Sequence, residues 1–147
     1  MKKIFTGTAI ALIGFAAFSG CIKISAANPS SSMKATINGA AFNATNCIAT
    51  TPGGTLTVNG SNNSTGTSYA NINIGIFNYT GVGTYAIPGA SGVNFITIDS
   101  SGTLVGASSA YGAVTITSVS STIIGTFSFT ALDSDKVTGG TFTAQID

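Results

Sequence analysis

The stretch SYANINIGIF, Ser68–Phe77, decides the fold class. Ala70, Ile72, Ile74 and Ile76 fall on alternate positions, with Tyr69, Asn71, Asn73 and Phe77 between them. Successive side chains of an extended chain point to opposite sides, so this stretch has one apolar face and one polar face. A helix would repeat its apolar residues every third or fourth position, and here they repeat every second. The segment reads as a half-buried strand.

The same period recurs on both sides of it. Upstream, MKATINGAAFNA places Asn38-Gly39 between two short alternating runs, the strongest local signal for a hairpin with a type I′ turn. TLTVNG sets Leu56 and Val58 against threonines, and GSNNSTG follows it as a loop. Downstream come GTYAI ending at Pro88, VNFITI before the turn DSSG at Asp99, TLVGA, and GAVTITS, in which Val114 and Ile116 share a side. Ile123, Phe127 and Phe129 share a face in TIIGTFSFTA, DSDK is a turn, and Phe142, Ala144 and Ile146 share a face in GTFTAQI. Roughly eight to ten short strands at about ten-residue spacing, with no helical segment long enough for a crossover, predict an all-β, antiparallel fold. A sandwich is the first expectation and a barrel the alternative, since period alone does not separate them. The outward positions are mostly Thr, Ser and Asn, and only 6% of residues are charged. Lysine protection of sheet edges is therefore scarce, and exposed edges should be able to pair.

The N-terminus carries a different kind of signal. Met1-Lys2-Lys3 precedes an uncharged apolar run from Ile4 to Phe18, which matches a secretory signal peptide and is too short for a spanning helix. Ser19-Gly20-Cys21 follows at once and resembles the lipobox of bacterial lipoproteins, with Phe18 where Leu is usual. The expected organisation is a signal peptide over residues 1–20, a lipidated tether over 21–32 and one β domain over 33–147. Two or three acyl chains on Cys21 would anchor firmly, each buried CH₂ contributing about 0.8 kcal/mol. The competing reading is ordinary secretion with cleavage after Ala27. Removing residues 1–20 leaves three lysines against four aspartates, a side-chain charge of −1, so no basic surface for nucleic acid is expected. Cys47 then reads as a small buried hydrophobe and not as a disulfide partner of Cys21.

ATINGAAFNA, GTYAI, GAVTITSVSSTIIGTFSFTA and VTGGTFTAQI together resemble an uncharacterised family of small Bacteroidota lipoproteins. The resemblance covers most of residues 33–147 and departs at Phe42, where the family often has Trp. It implies an envelope location and an all-β domain, and no activity. The tether CIKISAAN has Lys23 and no acidic run, which by analogy with surface-sorted lipoproteins favours an outer-membrane protein facing the periplasm.

Residue inventory limits the chemistry. The chain has no His, Glu, Arg or Trp, so histidine-based triads, histidine zinc sites and arginine phosphate clamps are excluded. A serine activated by Lys34 or Lys136, or a pair of aspartates, has no supporting motif; the protein is read as a non-enzyme without cofactor or metal site. Asp133-Ser134-Asp135 is read as a hairpin turn, because a calcium loop needs further oxygens that are missing. Tyr69, Tyr79, Tyr85 and Tyr111 are the candidate ligand-facing aromatics, able to stack on sugars or peptides from a polar β-face. The expected role is a membrane-anchored binding or scaffolding module with an envelope protein or glycan partner. The alternatives are an assembly protein pairing through strand edges and a barrel for a lipophilic ligand.

Overall fold

Asn38 and Gly39 turn the chain as the hairpin rule requires, with φ of 48° and 86°. They join β1 (Ser32–Ile37) to β2 (Ala40–Ala44), paired from Met33↔Ala44 to Ile37↔Ala40. The computed structural model describes residues 31–62, 70–98 and 104–147, with 94–98 and 104–105 described through their backbone only. Residues 1–30, which hold the expected signal peptide, Cys21 and most of the expected tether, lie outside the described residues, as do Tyr69 and the turn expected at Asp99.

The remaining strands are β3 (Asn46–Thr50), β4 (Leu56–Ser61), β5 (Ala70–Ile76), β6 (Gly83–Ile87), β7 (Ser91–Ile98), β8 (Leu104–Val119), β9 (Thr122–Ala131) and β10 (Lys136–Ile146). A 3-10 turn, Pro52–Gly54, interrupts the strands between β3 and β4. The all-β expectation holds. The expected alternation holds as well: Ile72, Ile74 and Ile76 are buried while Asn71, Asn73 and Gly75 between them are half-exposed.

All ten strands belong to one sheet, which forms two walls. One wall runs β2-β1-β10-β9-β8-β6 and the other β3-β4-β5-β7. The walls are continuous at both corners. The first part of β8 pairs with β7 and the later part, Gly112–Ile116, with β6. The end of β10 pairs in parallel with β3 at Gln145↔Ile48 and Ile146↔Ala49. The expectation of a sandwich of separate sheets therefore gives way to its alternative, a nearly closed barrel-like sheet, and one pair is parallel where antiparallel pairs were expected. The physical reason is strand length: β8 and β10 are long enough to pair on both walls, and irregular register bends them between the two.

Two further differences follow from the same strands. TLVGA and GAVTITS, read as separate strands, are one 16-residue strand whose register shifts between Ser109 and Tyr111 instead of turning. NATNCIAT contains an unexpected strand, β3, whose mixed polarity hides the period. Its inward positions, Cys47 and Ala49, are fully buried.

The walls meet in one apolar cluster that includes Met33, Phe42, Leu56, Ile72, Ile74, Ile116, Ile123, Phe127 and Phe142. Met33 of β1 lies across the core against Gly60 of β4, so close that a Cβ at Gly60 would sit 2.6 Å from its sulfur. Hairpin β1–β2 adds Met33, Ala35, Phe42 and Ala44 to the interior, next to the short β10–β3 contact. Burying Met33 and Phe42 contributes about 1.5–3 kcal/mol each, which makes the hairpin part of the core and not an appendage.

Candidate functional site

The tyrosines divide between structure and surface. Tyr79 and Tyr85 face each other with ring centroids 6.1 Å apart. Tyr85 is buried; its hydroxyl donates to the Gly81 carbonyl at 2.7 Å and accepts from the Thr80 amide at 3.3 Å. The Tyr79 hydroxyl is buried without a hydrogen-bond partner among the described residues. Burial, with a smaller contribution from Tyr85, pushes its pKa above the ordinary phenol value. Tyr111 is 61% exposed on the outside of β8, in register with Thr130, which in turn pairs with Lys136. The structure brings Tyr79 and Tyr85 together and leaves Tyr111 on a different face.

Cys47 is a free thiol in the core, its pKa pushed up to about 12 by burial. A thiol held protonated is not a nucleophile. Asp133 and Asp135 form the expected turn: the Asp133 carboxylate accepts the Asp135 amide at 3.1 Å, and Ser134 has φ of 76°. The Asp135 carboxylate accepts the Asn38 amide group at 2.6 Å, so the β9–β10 turn is fastened to the β1–β2 turn.

Shallow grooves mark the outer faces among the described residues. One, of about 270 Å³, includes Tyr111, Thr130 and Lys136. A second, of about 360 Å³, lies over three hydroxyls in direct register, Thr115, Thr126 and Thr141, a row that Thr84 extends beyond the groove. Its glycines have structural reasons: a Cβ at Gly140 would sit 2.5 Å from the Phe127 carbonyl, and Gly139 has φ of 60°.

A third groove, of about 330 Å³, is built differently. It crosses the outer face of β4, β5, β7 and β8 and is floored by Gly75 and Gly92, which pair directly across β5 and β7. A Cβ at Gly92 would meet nothing within 4 Å, and one at Gly75 only the Gly92 carbonyl at 3.8 Å. Neither residue has a positive φ. Glycine weakens a strand by roughly 0.5–1 kcal/mol, and here neither backbone geometry nor crowding requires it. Unfilled glycines inside a sheet are the pattern expected where something approaches the backbone closely.

The walls of this groove are polar and uncharged. Thr57 stands opposite Gly75, Asn73 precedes it on the same face of β5, and Phe77 follows it, 52% exposed. Phe77 starts the turn after β5, where its amide donates to the Ala90 carbonyl at 2.9 Å. Asn78 has φ of 51°, and the Tyr79 amide donates to the Gly54 carbonyl at 2.8 Å, so both sides of Phe77 are tied down. At the far side the Ser109 hydroxyl accepts the Val93 amide at 2.9 Å. The outward placement of Asn73 and Phe77 follows from alternation alone, whereas the glycine floor appears only when Gly75 and Gly92 are brought into register.

These features define a class: a nearly closed all-β barrel that carries an open, uncharged groove on its outer wall. The chain belongs to a family described as a domain of unknown function, DUF6252, whose model matches residues 29–145. No curated protein and no solved structure matches it.

Proposed function

We propose that this protein is a membrane-tethered, non-catalytic binding module of the bacterial envelope and that the Gly75–Gly92 groove is where it binds. The observation that carries the reading is the pair of open glycines, which lower strand stability and create a recess. The absence of His, Glu and Arg from the chain supports a non-catalytic role, as does the use of Asp133 and Asp135 in a turn.

The tether rests on Ser19-Gly20-Cys21 after an apolar leader. Cys21→Ser should release the protein from membranes and abolish fatty-acid labelling, while Cys47→Ser should do neither; a Cys21→Ser protein that remains membrane-bound contradicts the tether. The short tether with Lys23 and no acidic run supports an outer-membrane protein facing the periplasm. The groove is tested by adding envelope extract to the labelled lipoprotein in nanodiscs and following its amide resonances. Shifts at Asn73, Gly75 and Gly92 that vanish in Gly92→Val support the site, and shifts confined to other faces contradict it.

Assembly through strand edges is the second reading. It rests on β2 and β6, which end the pairing path, and on the lack of charge along β2. Both edges are only five residues long, and the Ser91 hydroxyl already donates to the Tyr85 and Ala86 carbonyls of β6. Short, occupied edges resist pairing. A concentration-dependent increase in size on gel filtration would favour assembly over the groove. The lipophilic-ligand form of binding finds no support in the described interior, where Met33, Leu56, Ile72, Ile74 and Ile76 are fully buried against one another's cluster.

A further inference from the structure

We infer that the Gly75–Gly92 groove is a subsite for a neutral saccharide, its ring stacked on Phe77. The inference rests on the binding reading above and names the ligand class. Its first support is electrostatic. The groove is lined by Thr, Asn, Ser, Gly, Val and Phe, with no ionisable side chain among its described lining residues. A phosphate, a carboxylate sugar or a charged peptide would lose its hydration there without gaining a countercharge. An uncharged ligand loses far less.

The second support is the mismatch between the groove and the other neutral ligands. A peptide that adds as a strand needs an unpaired sheet edge; β4 and β5 are paired on both sides, β7 pairs with β5 along its length and with β8 from Asn94, and the Val93 amide before that is already held by the Ser109 hydroxyl. The ligand must therefore be read by side chains on the face of the sheet. A lipid chain would require an apolar channel, whereas Phe77 and Val93 are the only large apolar residues in the described lining.

The third support is the chemistry of what lines the groove. A pyranose presents an apolar C–H face and a rim of hydroxyls that both donate and accept. Phe77 offers an exposed ring on a backbone held by hydrogen bonds on both sides. Asn73 carries a donor and an acceptor on one amide, and its side chain makes no hydrogen bond among the described residues. The hydroxyls of Thr57 and Ser109 complete a sparse polar set around an apolar platform, the pattern of small-ligand sites. Gly75 and Gly92 let the ring settle against the backbone between Asn73 and Phe77.

The test uses the mature lipoprotein in nanodiscs, isotopically labelled, titrated with a panel of neutral trisaccharides built from glucose, galactose, mannose and N-acetylglucosamine. A uronic-acid trisaccharide and an uncharged Ser/Thr/Ala peptide are the comparison probes. At least one neutral trisaccharide should shift the Asn73, Gly75 and Gly92 amides saturably. Phe77→Ala should weaken that binding at least about tenfold and Phe77→Tyr should preserve it. Unchanged Ile72 and Ile74 resonances report that the variants are folded. Shifts with the peptide or the uronic acid and none with the neutral sugars overturn the saccharide assignment and leave the groove as a binding site. Silence from all probes at these amides, with shifts from envelope extract confined to another face, overturns both.

Discussion

At the scale of single residues, Cys47 and the Tyr79–Tyr85 pair give opposite lessons about burial. Cys47 is protonated in the fold up to about pH 12, against an ordinary value of 9.0. The unfolded thiol ionises first as pH rises, so the native state then holds more protons and stability falls between about pH 9 and pH 12. Urea unfolding under reducing conditions should show wild type losing stability relative to Cys47→Ala across that window, by at most about 1.4 kcal/mol per pH unit. Parallel pH profiles for the two proteins would contradict the assignment. Tyr85 has its hydroxyl bonded to Gly81, and Tyr79 has a buried hydroxyl with no partner among the described residues. Tyr85→Phe should therefore cost roughly 1–2 kcal/mol, while Tyr79→Phe should be neutral or slightly stabilising in the same denaturation assay. Both tyrosines were legible in the sequence as candidates for recognition. Their separation from Tyr111 was not, because it depends on how the β5–β6 loop that carries Tyr79 packs once β6 has found β8.

At the scale of elements, turns carry much of the specification. Asn38 supplies the left-handed backbone of the β1–β2 turn, and its side chain then does a second task. Its amide donates to Asp135 and its carbonyl accepts the Lys136 amide at 2.8 Å, joining two turns about a hundred residues apart in sequence. Asn38→Gly keeps the turn geometry and loses only this fastening, with an expected cost of about 1–2 kcal/mol; Asn38→Ala should cost more by adding backbone strain. An Asn38→Gly protein as stable as wild type would show that the fastening is idle. The hairpin was legible because its signal is two adjacent residues. β3 was not, since the mixed polarity of NCIAT hides its period and its pairing with the end of β10 joins residues about a hundred apart in sequence. Nor was the continuity of β8: the glycines and serines that ordinarily punctuate strands here bend one.

At the scale of the whole molecule, register turns glycine from a composition into a surface. Gly60 lets the two walls approach and Gly125 and Gly140 make room for neighbours within one wall, whereas Gly75 and Gly92 leave a recess above the sheet. A sequence holds no mark that separates the two kinds, since the difference lies in what a Cβ would meet. At Gly125 it would sit 2.6 Å from the Thr115 carbonyl and 2.5 Å from the Phe142 ring. Gly125→Ala should consequently lower stability by about 1–3 kcal/mol. The most direct measurement is to make Gly92→Val and record both its thermal unfolding and its neutral-saccharide titration beside wild type. Stability should be unchanged or raised by up to about 1 kcal/mol, because valine suits a strand and the space above Gly92 is open. Saccharide binding should fall at least about tenfold as the valine fills the groove. A Gly92→Val protein that melts early through a clash, or one that binds as well as wild type, would contradict the claim that this glycine is kept for a ligand.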